Sequence, residues 1–145
     1  MLFEPEFIVY VDGASRGNPG DASYGFAILD HDLNVIHQEG KYIGQATNNV
    51  AEYTALVRAL QYAVDHKIPS VEIRADSQLL VRQLLGEYKV KSENLEELHR
   101  ACRNLLQQLQ WYEIKHIPRE QNKLADKLAN QALDRQKKKS STAEA

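Results

Sequence analysis

The sequence predicts an α/β domain in which one mixed sheet carries helices on its faces. Three observations lead there. Read along the chain, the hydrophobic pattern gives the order β-β-β-α-β-α-α-β-α; consecutive strands followed by alternating helices and strands predict such a sheet. The 145 residues are one domain's worth, and 43% hydrophobic with 26% charged residues is ordinary for a globular chain. No segment approaches the eighteen or so apolar residues of a membrane span.

Residues 7–11, "FIVYV", are β-branched and aromatic throughout, which predicts a strand buried on both faces. "GNPG" then forces a loop. Residues 24–30 and 34–44 flank the polar "HDL" and read as an antiparallel hairpin. In "TNNVAEYTALVRALQYAVDHK", Leu56, Ala59, Leu60, Ala63 and Val64 form a helical stripe, with Asn48 or Asn49 as its cap. Residues 70–76 make a second short buried strand, and "SQLLVRQLLGEY" a short helix ending near Gly86. After a polar loop, Leu95, Leu98, Cys102, Leu105 and Leu109 recur at helical spacing, so the only cysteine is a core thiol. Residues 111–117 are the last strand, Asn122 the expected cap, and "KLADKLANQALDRQ" the closing helix. The domain is expected to span 1–137, with 138–145 a flexible charged tail. One cysteine fits a reducing compartment, and the acidic N-terminus shows no signal peptide, so a cytoplasmic protein is expected.

Ligand sites in α/β layouts lie outside the carboxyl ends of strands. Asp12 is expected to end the first strand and Asp76 the fourth. Alone, each is a common turn residue. If the two strands are parallel neighbours, both side chains leave the same edge. Glu52 falls in the first turn of the first long helix, where a capping box with Asn49 would also account for it. Asp126 falls in the first turn of the last helix, where an anion complements the helix dipole. These four carboxylates can also converge on one point. Ionised pairs about 4 Å apart repel by roughly 4 kcal/mol each at an effective dielectric near 20, so such a cluster calls for divalent cations. Oxygen ligands without a histidine or cysteine cage suit Mg2+, with Mn2+ as substitute. Two such ions suit in-line displacement at a phosphodiester.

In order and spacing, "VDGASRGNPG", "TNNVAE", "ADSQ" and "HIPREQNKLAD" resemble the motifs of type 1 ribonuclease H, and the similarity runs from Glu6 to Leu133. The resemblance implies a ribonuclease H-like fold: a five-stranded mixed sheet, three strands antiparallel and the others parallel, flanked by helices. It implies Mg2+-dependent endonucleolytic cleavage of the RNA strand in RNA–DNA hybrids, with 5′-phosphate and 3′-hydroxyl products. It makes Asp12, Glu52, Asp76 and Asp126 the ligands of two Mg2+ ions. His116 lies at the spacing of the family's catalytic histidine, although the loop "IPREQN" lacks the glycine of better-known members, so Arg119 or Glu120 could share its task. Asn18, Asn48, Asn49 and Gln78 match positions that touch the hybrid's minor groove, where amides both donate and accept. Thr47 matches a contact to a phosphate of the DNA strand.

The chain departs from many bacterial relatives between its second and third helices, where "GEYKVKSEN" replaces a basic, tryptophan-containing protrusion. No separate hybrid-binding domain is expected before the catalytic one. With a net charge of −2, few phosphates are neutralised and the salt dependence of binding should be shallow. The expected partner is an RNA–DNA hybrid, with double-stranded RNA as a further candidate substrate; a monomer is expected, without membrane contact. A junction resolvase with the same core and a noncatalytic binding module remain the alternatives.

Overall fold

The strand formers at 7–11 continue without a break into the glycine-containing stretch behind them, so β1 spans Phe7–Gly17. The structure, a computed structural model, describes residues 5–144. β1 pairs antiparallel with β2 (Gly20–Asp30) over its whole length, and β2 with β3 (Val35–Ala46). The β2–β3 turn is closed by the Asp30 carboxylate, which accepts from the main-chain N–H groups of Asp32 and Asn34. β4 (Ser70–Ala75) and β5 (Trp111–His116) add parallel strands on the other side of β1, giving the order β3-β2-β1-β4-β5. This is the mixed sheet the pattern predicts.

Asp12 does not end its strand, as the pattern suggested. It lies inside β1, because antiparallel pairing with β2 carries the strand on to Gly17. The parallel β1–β4 ladder, however, stops at Val11 opposite Ala75. Asp12 and Asp76 are each the next residue, so both leave the same rim of that ladder.

One face of the sheet is covered by α1 (Asn48–Asp65), α2 (Gln78–Leu84) and α3 (Glu93–Leu106). Val9, Val11 and Ile73 pack there against Leu56, Leu60, Leu80, Leu106 and the buried Cys102, which is the core thiol expected. α4 (Lys123–Glu144) lies across β1, β2 and β3 on the opposite face. Ser23, fully buried in β2, donates its hydroxyl to the Ala129 carbonyl of that helix. Gly25 makes the approach possible: a Cβ there would sit 2.4 Å from the Ala125 carbonyl oxygen.

A further expectation changes. Residues 7–11 are buried on one face only. Where α4 does not reach, the reverse face of β4 and β5 is polar: Glu72 pairs with Arg74 at 2.5 Å and Lys115 at 3.0 Å, and Arg74 also donates to the Tyr10 hydroxyl. The closing helix, α4, continues past Gln136 into the charged segment up to Glu144. Its lysines, serines and alanine include no glycine or proline to stop a helix already anchored on the sheet. Between α2 and α3 the chain passes without another helix, in keeping with a missing protrusion.

Candidate active site

Each carboxylate reaches the β1–β4 rim by its own route. Asp12 is buried, and its Oδ1 accepts from the Gly13 N–H at 2.9 Å. Gly13 also brings α1 to the strand. A Cβ on it would lie 2.4 Å from the Glu52 nitrogen and 2.6 Å from the Ala51 carbonyl carbon, so only a glycine lets the two backbones touch. Glu52 therefore hangs beside Asp12. The helix cap is Thr47, whose Oγ1 accepts from the Val50 N–H at 3.2 Å, rather than Asn48 or Asn49. With the helix starting at Asn48, Glu52 lies past the first turn, which removes the capping-box account of it. Asp76 likewise does not cap α2; Ser77 does, accepting from the Leu80 N–H at 3.2 Å. Asp126 does occupy the first turn of α4.

Carboxylate oxygens of Asp12, Glu52 and Asp76 all lie within 4.8 Å of one another. Asp126 stands outside that close triad but lines the same cavity of about 410 Å³, together with Asn48, Arg119 and Asn130. Burial, followed by the charge of Asp76, pushes the Asp12 carboxyl up to about 8; the Gly13 N–H opposes this, and Glu52 and Asp126 add to it. Burial also raises Glu52 to about 7, with a hydrogen bond from Ser77 pulling it down and Asp76 pushing it further up. Folding has assembled acids that repel one another. A hard divalent cation fits this donor set: carboxylate oxygens only, held close, and each stabilised in its charged form by the ion.

Neutral donors orient the cluster. The Asn130 amide donates to Asp126 Oδ1 at 3.1 Å and to its carbonyl at 3.0 Å, and Ser77 serves Glu52. Asn122 precedes α4 as the expected cap does, and its carbonyl accepts from the Asp126 N–H, but its side chain reaches elsewhere. Its Nδ2 donates to the Val11 carbonyl at 2.8 Å and to Asp76 Oδ2 at 3.0 Å, while its buried Oδ1 has no partner. The spacing of Asn130 four residues after Asp126 was a readable helical pair. The sequence marks Asn122 only as a cap, because its side-chain partners lie far away along the chain.

His116 is exposed and does not line the carboxylate cavity. Its Nε2 lies 3.2 Å from the Asp76 carbonyl oxygen, and it borders a neighbouring cleft with Gln78. Arg119, on a single 3₁₀ turn (Arg119–Gln121), does line the carboxylate cavity. Of the amides, Asn18 Oδ1 accepts from the Asn48 N–H at 3.0 Å, which joins the β1–β2 turn to the start of α1. Asn49 sits half-buried in the first turn of α1.

Residues 10–132 match the family model described as "Reverse transcriptase-like". The chain is 44% identical over 125 residues to Ribonuclease HI of Halobacterium salinarum, covering 86% of this chain and 63% of that protein. The chain belongs to the type 1 ribonuclease H family. It is also 40% identical to the bifunctional protein Rv2228c of Mycobacterium tuberculosis, over 88% of this chain and 35% of that one. It thus spans less than two thirds of the length of these curated relatives. Among solved structures, LC11-RNase H1 in complex with an RNA/DNA hybrid superposes with a TM-score of 0.84 at 43% identity, over 89% of this chain and 97% of that one. The ribonuclease H fold accounts for the sheet order and the side on which the carboxylates gather. No helix among the described residues is long and apolar enough to cross a membrane.

Proposed function

We propose that this chain is an endoribonuclease that hydrolyses the RNA strand of RNA–DNA hybrids, leaving 5′-phosphate and 3′-hydroxyl ends. The observation that carries the reading is the triad Asp12, Glu52 and Asp76, with oxygens within 4.8 Å of one another. Its support is the likeness to a ribonuclease H1 solved with an RNA/DNA hybrid.

Asp12, Glu52, Asp76 and Asp126 would hold two Mg2+ ions, with Mn2+ as substitute; Asp12 is the acid that the other three all repel. Bound there, the ions would activate a water and stabilise the leaving oxygen of an in-line displacement. The chain's own residues supply the rest. Glu52, on the α1 side of the cavity, can accept from the ribose 2′-hydroxyl, a group that DNA lacks. Thr47, Asn48 and Asn49 begin α1, whose N-terminus suits a phosphate. Asn18, tied to Asn48, and Gln78, which opens α2, would serve as minor-groove contacts. Arg119 is the cation that faces the carboxylates, placed to hold the scissile phosphate. His116, held by the Asp76 carbonyl, is one step further out and would move a proton to or from the leaving group.

That arrangement ranks the two residues. Arg119→Ala should lower single-turnover cleavage by about 10-fold or more, and His116→Ala by less. A histidine variant slower than the arginine variant would reverse the assignment. The function itself is tested by incubating labelled hybrid, double-stranded RNA and DNA duplexes with and without Mg2+. Cleavage of the hybrid's RNA strand only with metal supports the reading, cleavage of double-stranded RNA would widen the substrate class, and cleavage of DNA duplex alone would favour a resolvase. A monomeric, cytoplasmic enzyme formed by a domain over 1–137 is part of the same proposal.

A further inference from the structure

We infer that Asn122 is a positioning residue of the carboxylate cluster: it holds Asp76 at the spacing from Asp12 that a divalent cation needs. The inference rests on the metal-dependent reading above and adds to it a residue that touches neither substrate nor ion.

Four hydrogen bonds meet at this one residue. The side-chain Nδ2 donates to the Val11 carbonyl, adjacent to Asp12, at 2.8 Å and to Asp76 Oδ2 at 3.0 Å. Its main-chain N–H donates to the Arg119 carbonyl at 3.0 Å, and its carbonyl accepts from the Asp126 N–H at 3.2 Å. A single buried residue, 1% exposed, thereby links the backbone before Asp12, the side chain of Asp76, the turn bearing Arg119 and the helix bearing Asp126.

The amide's orientation separates this role from ordinary packing or capping. A capping asparagine accepts, through its oxygen, from N–H groups of the helix it begins. Here Oδ1 has no partner among the described residues. Both bonds are donations, and a reversed amide would turn its oxygen toward two acceptors. The side chain is therefore kept for what its NH₂ group reaches. Asp76 needs such a partner, because the β1–β4 ladder ends at Val11 and Ala75 and no strand pairing restrains the residue beyond. A donor anchored to β1 and bound to Asp76 Oδ2 sets the separation of the two strands' carboxylates and limits rotation of one of them.

Partners that orient metal ligands typically change metal affinity by 10–100-fold when removed. Asn122→Ala should therefore weaken Mn2+ binding, read by calorimetric titration of the folded protein, by about 10-fold or more. Gln83→Ala is the control. Gln83 is another buried amide, accepting from the Tyr53 hydroxyl at 2.6 Å and donating to the Lys89 carbonyl at 3.2 Å. Its loss should lower the melting temperature while leaving Mn2+ affinity unchanged. An Asn122→Ala protein with wild-type Mn2+ affinity overturns the inference; a wild type that binds no Mn2+ and cleaves no hybrid overturns the metal-dependent reading instead.

A second measurement needs no variant, in case Asn122→Ala does not fold. In a 15N-resolved NMR titration of wild-type protein with Mg2+, the side-chain NH₂ pair of Asn122 should shift in step with binding, because its acceptor Asp76 takes up the ion. The Gln83 pair should stay in place. An Asn122 pair unmoved at saturating Mg2+ rules the positioning role out.

Discussion

Asp12→Asn is expected to abolish metal-dependent hybrid cleavage, by about 10³-fold or more, since a lost ligand forfeits several kcal/mol of transition-state stabilisation. It should also leave a folded protein that, without metal, melts above the wild type. Both effects share one cause. Burial, Asp76, Glu52 and Asp126 hold the Asp12 carboxyl at about 8, far above the 3.8 of an unburied aspartate. A carboxyl with a folded pKa above its unfolded one contributes stability that is complete below the unfolded value and is lost as pH rises through the folded value. Metal-free wild-type protein should therefore lose stability between about pH 4 and pH 8, the interval bounded by those two values. Glu52, raised from 4.5 to about 7, contributes in the same direction. In Asp12→Asn the decline should be shallower, because the asparagine carries no charge to bury. Divalent metal should reverse the trend in wild type and do little for the variant. Thermal melts at pH 5 and pH 8, with chelator and with Mg2+, measure all of this. A variant less stable than wild type at pH 8 in chelator would mean that Asp12 is not under electrostatic strain.

Gly13→Ala should have the next largest effect, although the change adds one methyl group and removes no functional atom. That methyl would lie 2.4 Å from the Glu52 nitrogen and 2.7 Å from the Ala51 Cβ. Neither neighbour is the end of a flexible side chain. To admit the methyl, α1 must shift away from β1, against a core in which Ala51, Ala55, Leu56 and Ala59 are all buried. Forced insertion of this kind costs about 1–3 kcal/mol. The functional cost is the more telling part. Glu52 rides on the displaced helix, and a 1 Å error in a positioned group costs about 100-fold in rate. Cleavage should therefore fall by about that factor at temperatures where the variant is fully folded, with weakened Mn2+ binding in parallel. Should Gly13→Ala retain wild-type melting and turnover, close backbone approach is not what seats Glu52.

Much of this chain was legible before any coordinates. Strand formers at 7–11, 70–76 and 111–117, the hairpin about residues 31–33 and the leucine stripes of the helices all follow from local periodicity, and they lead to the observed element order. The four acids were legible because the local sequence reads as strand ends and helix starts around them, although Asp12 lies inside β1 and Glu52 past the first turn of α1. Local signals went astray where a distant partner or a neighbouring residue of similar type decided. Asp12 was read as a strand end because its glycine-containing sequel looks like a turn, yet β2 pairs with that sequel up to Gly17. Asn48 and Asn49 look like caps, but Thr47 holds the position from which an oxygen reaches Val50.

Asn122 marks the boundary between the two kinds of information. Hydrophobic period, turn chemistry and spaced acids are written in neighbouring residues, so they determined the strands, the helices and which carboxylates are candidates. Whether the carboxylates would meet, and what would hold them, was decided in three dimensions. It took strand register to bring Asp12 and Asp76 to one rim, a glycine contact to bring in Glu52, and an amide donating to a residue 46 positions away to tie Asp76 down. Hydrogen bonds and close contacts are short-ranged, and the chain neighbours of a residue do not say what folding will place within that range.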